Sequence, residues 1–378
     1  MNNCTFNPVF TLNLVLFLGF GFLNAQTKTN NPDLVDKKAN SETKALYSNL
    51  KMLSKKGILF GHQDDLAYGI GWEAENGRSD VKEVCGSYPA VYGWDIAGLG
   101  TGKNIDGVDF DNMRNWIKDG FKRGGISTIS WHTENPLTGG NAWDTTSAVR
   151  AIIPGGEKHD FYKKQLDLVA DFFASLKSDK TNIPIIFRPF HEHSGAWFWW
   201  GKTHCTPEEF IKLWKFTVEY LRDVKGLHHI LYAFSTDVFK TKEDYLHFYP
   251  GDDYVDILAY DDYQGVRSAE SSKELVKRLE IINKLAKEKN KIAALSETGL
   301  ESIPLENWWT EILLKSFKEL AADNHFAWVL VWRNANTKHH YAPYTGHSSA
   351  EDFIKFEKDS YTFFEKDLPN VYKLPKKK

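Results

Sequence analysis

Eight short apolar runs recur along the chain, and each of them ends in polar, ionisable or aromatic residues. Each run begins with β-branched or aromatic residues, as buried strands do. Segments in which apolar residues follow a helical spacing separate the runs. The runs are GILFGHQ (57–63), AVYGWDIA (90–97), STISWHTEN (127–135), PIIFRPFHEHS (184–194), HHILYAFS (228–235), VDILAYDDY (255–263), KIAALSETG (291–299) and AWVLVWRN (327–334).

The alternation of these runs with helices predicts an all-parallel sheet that is buried on both faces. Eight such units close into a single (β/α)8 TIM barrel. An open, doubly wound sheet is the alternative, and it would call for a Gly-rich phosphate turn after an early strand. The sequence has no such turn. Residues 41–57 predict an extra N-terminal helix, which we expect to close the floor of the barrel.

The amino terminus predicts a secretory signal peptide. An apolar run at 9–23 is followed by a small-residue exit at Ala25, and the run is short for a bilayer span, although an uncleaved anchor is the alternative. The signal predicts a secreted or periplasmic protein that is free of the membrane once the signal is removed, and we expect a monomer. The predicted organisation is a signal peptide at 1–25, a linker at 26–40, the barrel domain at 41–370 and a basic tail at 371–378.

Charge and composition narrow the function classes. The formal net charge is −3, so the chain offers no basic surface for nucleic acid. Aromatic residues make up 14% of the chain, and rings that are surplus to the core would offer flat apolar faces to a ligand such as a sugar. Cys85 and Cys205 are compatible with a disulfide or with two isolated thiols, and we favour the thiols.

Two glutamates stand at the ends of opposed strands. Glu192 ends the fourth run and Glu297 ends the seventh. In a closed barrel the mouths of these two strands face each other across the opening. Two carboxyl groups beside many aromatic rings indicate glycoside hydrolysis, in which one group is a protonated acid and the other an ionised carboxylate. Either Glu alone is more simply an ion-paired residue, but the two together favour catalysis.

These motifs resemble glycoside hydrolase family 26. The resemblance covers essentially the whole chain after the signal, and most members of that family are endo-β-1,4-mannanases. It implies a retaining endo-β-1,4-mannanase in which Glu192 is the general acid/base and Glu297 is the nucleophile of a glycosyl-enzyme intermediate. The motifs that carry the resemblance are FRPFHEHSGAWFWW, LSETG, GHQDD, SWHTENP, YPGDDYVDILAYDDY and VWRN.

The resemblance also implies which residues bind the substrate, a β-mannan polysaccharide or oligosaccharide. His132 and His191 are expected to contact the sugar in the −1 subsite or the acid/base. Trp197 is expected near the +1 sugar, and Trp332 beneath the −1 sugar as a stacking floor. Asp261 is expected to orient His191 or a sugar hydroxyl.

Two further side chains are assigned from their positions in the predicted strands. Tyr263 ends the strand next to that of Glu297, so its hydroxyl is expected to reach that carboxylate. Arg188 lies inside the fourth strand and is expected to hold either carboxylate. His193 and its neighbours do not form a metal site, because adjacent residues of an extended segment point to opposite faces. We therefore expect neither a metal nor another cofactor.

Several alternatives stay open on the sequence alone. Trp199 and Trp200 either extend the cleft or pack the loop. Trp94 and Asp95 end the second run and are expected to line the negative subsites, although packing in the core is an equal alternative for Trp94. A β-1,3-xylanase or a mixed-linkage glucanase would use the same catalytic machinery. A non-catalytic glycan-binding protein would keep the aromatic residues, but it would have no use for both glutamates.

Overall fold

The computed structural model describes residues 1–3, 34–320 and 323–374. The predicted signal peptide lies outside the described residues, apart from its first three, and it stays a prediction. The chain divides into Met1–Asn31 and Pro32–Lys378, and the second unit carries the fold. The described residues contain no helix suited to span a bilayer.

The second unit is a closed barrel of parallel strands. Within its described residues, eight strands pair in sequence order, and the last pairs back onto the first. This confirms the predicted (β/α)8 barrel. The strands are β1 (Ile58–Gln63), β2 (Val91–Asp95), β3 (Ile126–Trp131), β4 (Ile185–Pro189), β5 (Ile230–Thr236), β6 (Ile257–Asp262), β7 (Ile292–Thr298) and β8 (Phe326–Val331).

Helices join the strands and cover the outside of the barrel. They are α1 (Ser41–Leu53), α2 (Asp80–Cys85), α3 (Phe110–Arg123), α4 (Val149–Ile152), α5 (His159–Ser175), α6 (Pro207–Glu219), α7 (Lys242–Leu246), α8 (Ser272–Glu288), α9 (Lys315–Lys318) and α10 (Ala350–Lys358). Wider π-helical turns follow α6 at Tyr220–Val224 and precede α9 at Trp309–Leu314. Two short antiparallel ribbons lie outside the barrel sheet, one formed by Tyr68–Gly69 and Trp72–Glu73 and the other by Lys177–Ser178 and Thr181–Asn182. A further short strand, Thr362–Phe363, pairs in parallel with β1.

The core has two layers because alternate residues of a strand face opposite sides. In β1, Phe60 faces the helices and packs edge-on against Trp309 and Phe353. Its neighbour Leu59 belongs to a separate inner cluster, which α1 closes with side chains such as Leu46. The predicted N-terminal helix therefore covers the barrel floor.

The folded unit extends past both predicted boundaries of the barrel domain. The Val35 amide donates to Asp256 Oδ1 at 2.8 Å, so described residues of the predicted linker are already packed against the floor. At the other end Val371 is buried, and the Tyr372 hydroxyl donates to the Gly125 carbonyl at 2.6 Å. Both segments cover apolar side chains and strand ends that a barrel floor would otherwise expose to water.

Candidate active site

The carboxyl ends of the strands open into a cleft of about 520 Å³, which gathers most of the predicted site residues. Arg188 and Asp261 are both buried and lie outside this lining. Cys85 and Cys205 are free thiols and play no part in the lining. The predicted residues in the cleft wall are His132, His191, Glu192, Trp197, Tyr263, Glu297 and Trp332.

A left-handed turn places Glu192. Strand β4 ends at Pro189, earlier than the apolar run predicts, and both Phe190 and Glu192 have a φ of +52°. Such a φ is uncommon for residues other than glycine and costs conformational energy. The Glu192 amide donates to the Ser235 carbonyl of β5 at 3.0 Å, which anchors the turn. The Glu192 carboxyl group is thereby turned into the cleft, at a position that an extended strand would not give it.

The surroundings of Glu192 favour its neutral form. Burial is the largest cause that raises the pKa of Glu192 well above its usual range, and the negative charges of Asp261 and Glu297 add to it. Trp197 acts in the opposite direction, because its Nε1–H donates to Glu192 Oε2 at 2.7 Å and stabilises the ionised form. The net result is a carboxyl group whose pKa lies above the usual range of a glutamic acid, which suits the expected role of general acid.

Glu297 has the opposite kind of surroundings. It lies near the end of β7, where the pairing with β6 skips Ser296, and such a bulge re-aims the side chain. Its Oε1 pairs with Arg188 Nη2, and its Oε2 accepts a hydrogen bond from the Tyr263 hydroxyl at 3.1 Å. Both contacts suit an ionised carboxylate, which accepts hydrogen bonds at both oxygens.

Arg188 joins Glu297 to a second buried carboxylate. Its Nη1 donates to Asp261 Oδ2 at 2.9 Å, and Asp261 Oδ1 accepts from Ser296 Oγ at 2.7 Å and from Ser235 Oγ at 3.1 Å. Burial raises the pKa of Asp261 to about 7, Arg188 opposes this, and Glu297 adds to it. Asp261 thus pairs with Arg188, a contact that differs from the predicted one to His191 or to a sugar hydroxyl.

Two histidines meet beside Glu192. His132 Nδ1 lies 2.8 Å from Asp95 Oδ2, and His132 Nε2 lies 3.1 Å from His191 Nε2. Burial alone would lower the pKa of His132, but the charge and hydrogen bond of Asp95 outweigh it and raise that pKa. Burial lowers the pKa of His191 well below its usual value, and the positive charges of His132 and Arg188 act in the same direction.

The aromatic wall differs in part from the sequence-based expectation. Trp143 stacks on His132 with ring centroids 5.3 Å apart, and 48% of it is exposed. Sequence reasoning missed this residue, although a Trp in the Gly-rich polar segment GGNAWD after the third run is a usable signal. Further lining residues that it missed are Arg267, Glu301, His339 and Tyr341.

The three tryptophans whose roles the sequence leaves open pack inside the protein. Trp199 and Trp200 are fully buried, and their Nε1–H groups donate to the carbonyls of Thr133 and His191 at 2.9 and 2.8 Å. They therefore pack the loop after β4 and do not extend the cleft. Trp94 is also buried, where it stacks on Trp116 in the outer core.

Three carboxylates converge at the base of the cleft. Glu192, Asp261 and Glu297 each offer one oxygen, and these oxygens all lie within 4.8 Å of one another. A cation could be ligated by this set, but the Arg188 guanidinium already pairs with two of the three residues. Its positive charge opposes a metal ion at the same place. The expectation of a site without a metal stays a prediction.

Comparisons with known proteins point to one family. The sequence model of glycosyl hydrolase family 26 matches residues 35–355. A mannan endo-1,4-beta-mannosidase from Bifidobacterium adolescentis is 38% identical in an alignment of 351 residues that covers 86% of this chain and 35% of that protein. One from Bacillus subtilis (strain 168) is 32% identical in an alignment of 212 residues that covers 48% of this chain and 52% of that protein. The chain thus spans about a third to a half of the length of these relatives.

A solved structure agrees with this result. A family 26 β-mannanase from Bacteroides ovatus superposes with a TM-score of 0.86 at 45% sequence identity. The match covers 90% of this chain and 99% of that one. The similarity therefore extends over the whole barrel, including the strand ends that carry the cleft.

Proposed function

The chain belongs to glycosyl hydrolase family 26, and we propose that it is a retaining endo-β-1,4-mannanase. Its substrates would be the internal β-1,4-mannosidic bonds of mannan, galactomannan and glucomannan. The relatives described above are named mannan endo-1,4-beta-mannosidases, and they support this substrate class. A β-1,3-xylanase and a mixed-linkage glucanase remain the same-family alternatives.

One observation carries the reaction type: two carboxyl groups share the cleft in opposite electrostatic surroundings. Glu192 and Glu297 each have an oxygen within 4.8 Å of the other's. Retaining glycosidases place these groups about 5–5.5 Å apart, whereas inverting enzymes need about 6.5–9.5 Å for an intervening water. Burial and negative neighbours favour the protonated form of Glu192, and Glu297 accepts hydrogen bonds from Arg188 and Tyr263.

The proposed reaction has two steps. Glu192 protonates the glycosidic oxygen while Glu297 attacks the anomeric carbon, so the leaving sugar departs and a glycosyl-enzyme forms. Glu192, now ionised, then removes a proton from a water molecule that attacks the same carbon. That attack breaks the bond to Glu297 and restores both residues. No cofactor takes part in either step.

The remaining residues are proposed to bind or to position. Trp332 stacks beneath the −1 sugar, Trp197 faces the +1 sugar, and His132 and His191 contact the −1 sugar. Their common location in the cleft wall supports these roles. Arg188 is proposed to act through Glu297 and not on the sugar, because it is buried. We also propose that the protein is exported, on the basis of the amino-terminal apolar run, and that it acts as a monomer.

Release of reducing sugar tests the activity and the substrate class. We expect release from galactomannan and glucomannan, with little from β-1,3-xylan or mixed-linkage glucan. Preferential release from either of the last two would replace mannan by that substrate. Binding of galactomannan without any release would instead support the glycan-binding alternative.

Azide rescue tests the two roles. With a dinitrophenyl mannobioside, whose leaving group needs no acid, Glu192→Ala should accumulate glycosyl-enzyme and give a β-configured azide product. Glu297→Ala should give only an α-configured product. Glu134→Ala, which removes an exposed glutamate from the loop after β3, is the matched control and should retain the parent's activity. The reverse pattern of products would exchange the two roles.

A further inference from the structure

Three buried residues form a continuous polar chain across the ends of adjacent strands. Asp95 ends β2, and His132 and His191 follow β3 and β4. Their exposed fractions are 0%, 7% and 1%, and the contacts between them measure 2.8 and 3.1 Å. The chain leads from the wall of the barrel to the residue that precedes Glu192. The reaction proposed above makes no use of Asp95.

The hydrogen bonds restrict where the protons can lie. Asp95 accepts from His132 Nδ1, so that nitrogen carries a proton. The two Nε2 atoms lie 3.1 Å apart and share one proton between them. If His132 is neutral, the shared proton belongs to His191 Nε2. If His132 is an imidazolium, His132 donates the shared proton, and neutral His191 carries its own proton on Nδ1.

The neighbours of Asp95 favour the imidazolium. Asp95 also accepts hydrogen bonds from Ser130 Oγ at 2.7 Å and from the Ala97 amide at 2.8 Å, which stabilise its negative charge. The carboxylate lies 2.8 Å from His132 Nδ1, and this contact becomes an ion pair when His132 is protonated. A buried charge is costly unless an opposite charge compensates it, and a cationic His132 supplies that charge.

The other charged groups around His132 act in both directions. Glu297 favours its cationic form and Arg188 opposes it. The His191 ring contacts the His132 ring directly, and the charge of His132 lowers the pKa of Asp106 in the loop after β2. The interaction between His132 and Glu297 makes the protonation of His132 relevant to the proposed nucleophile.

We propose that Asp95 is a positioning residue that acts through His132. Asp95 holds His132 as an imidazolium, which fixes the tautomer of His191 and directs a positive charge toward Glu297. This inference rests on the proposed function, because it gives the charge a role in the attack by Glu297. When the pair of histidines loses one proton, the shared proton passes to His191 Nε2, His191 Nδ1 releases its own proton, and the positive charge disappears from the cleft.

Nitrogen-15 NMR of the ring nitrogens tests the protonation state directly in the unmodified protein. At neutral pH we expect both nitrogens of His132 to be protonated and His191 to be a neutral ring with its proton on Nδ1. The signals are assigned by their loss in His132→Gln and His191→Gln. A neutral His132 at pH 6 would overturn the proposal, whether or not the protein acts on mannan.

The substitution Asp95→Asn tests the role of the carboxylate. It keeps the size of the side chain and removes the charge. The pKa of His132 should fall below that of Glu192, so that His132 instead of Glu192 sets the alkaline limit and activity is lost at a lower pH than in the parent. At pH 7–8 we expect kcat on mannan oligosaccharides to fall about tenfold to a hundredfold, an effect below that of a catalytic-triad aspartate, with little change in KM.

Asp256→Asn is the matched control. Asp256 is also fully buried and accepts backbone amide hydrogen bonds, from Val35 and Tyr232, but at the floor of the barrel. It should keep the parent's pH profile. An unchanged profile in Asp95→Asn, or equal shifts in both variants, would overturn the role of Asp95. Absence of mannan hydrolysis in the parent would refute the proposed function, and the NMR titration would still decide the state of His132.

Discussion

The hydrogen bond between Trp197 and Glu192 should set the alkaline limit of activity. Trp197 Nε1–H donates to Glu192 Oε2 at 2.7 Å, and this contact lowers the pKa of a carboxyl group that burial raises. The substitution Trp197→Phe keeps an aromatic ring and removes the donor. The ionised form of Glu192 then loses a stabilising contact, so its pKa rises further. A general acid must be protonated, and the variant should therefore remain active to a higher pH than the parent.

The size of the shift follows from the strength of this bond. A hydrogen bond to a charged group contributes about 1.5–3 kcal/mol. Trp197 is 38% exposed, so water competes for its N–H and screens the interaction. The contribution of this hydrogen bond is therefore at most about 1.5 kcal/mol, the lower end of that range. Since one pKa unit corresponds to about 1.4 kcal/mol, the alkaline limb should move up by about 0.5–1 unit.

The assay is the pH dependence of kcat/KM for a mannan oligosaccharide. Trp143→Phe is the matched control, because Trp143 is an exposed cleft tryptophan that stacks on His132. That variant should weaken activity at every pH without moving the alkaline limb. A limb that stays in place or moves down in Trp197→Phe would refute this account of Glu192. So would an equal upward shift in both variants.

Three further substitutions have definite expected results. Tyr263→Phe removes a donor to Glu297 and should lower kcat about tenfold to a hundredfold with little change in KM, as steady-state kinetics would show; an effect confined to KM would contradict this. Arg188→Met leaves two buried carboxylates without their cation and should lower the free energy of unfolding by about 3–5 kcal/mol in urea denaturation, whereas an unchanged midpoint would contradict the pairing. Trp199→Ala should cost about 3–5 kcal/mol of stability and leave KM unchanged while folded; a raised KM at parental stability would put the ring in the cleft.

The barrel could be predicted because its local and tertiary requirements agree. A strand that is buried on both faces must be apolar throughout, so each of the eight runs is visible without knowledge of its partners. Helix ends follow local motifs for a similar reason: α6 begins at a capping box formed by Thr206 and Glu209, and the residue types of this motif are readable in the sequence TPEE. The two ends of the domain were not visible, because the burial of Val35 and Tyr372 depends on the barrel floor and not on any local pattern.

The meeting of Glu192 and Glu297 in one cleft was predictable, and their contacts were less so. A charged residue at the end of an apolar run is conspicuous, and the ends of parallel strands share one rim. The left-handed turn at Phe190 and Glu192 leaves no periodic signal, so the run at 184–194 predicts a strand longer than β4. The pairing of Asp261 with Arg188 joins strands β6 and β4, which are distant in sequence, so no local pattern reveals it.

The tryptophans show why contacts to a ligand are harder to predict than the fold. Trp143 and Trp199 both lie in loops after a strand, β3 for Trp143 and β4 for Trp199. In Trp199 the indole N–H finds the Thr133 carbonyl at 2.9 Å, and this bond allows complete burial of the ring. Trp143 keeps 48% of its surface exposed and stacks on His132, which Asp95 holds in place. The Trp199 N–H finds its partner in the loop after β3, and that loop comes next to the loop after β4 only in the closed barrel, so the sequence alone does not determine which tryptophan can face a sugar.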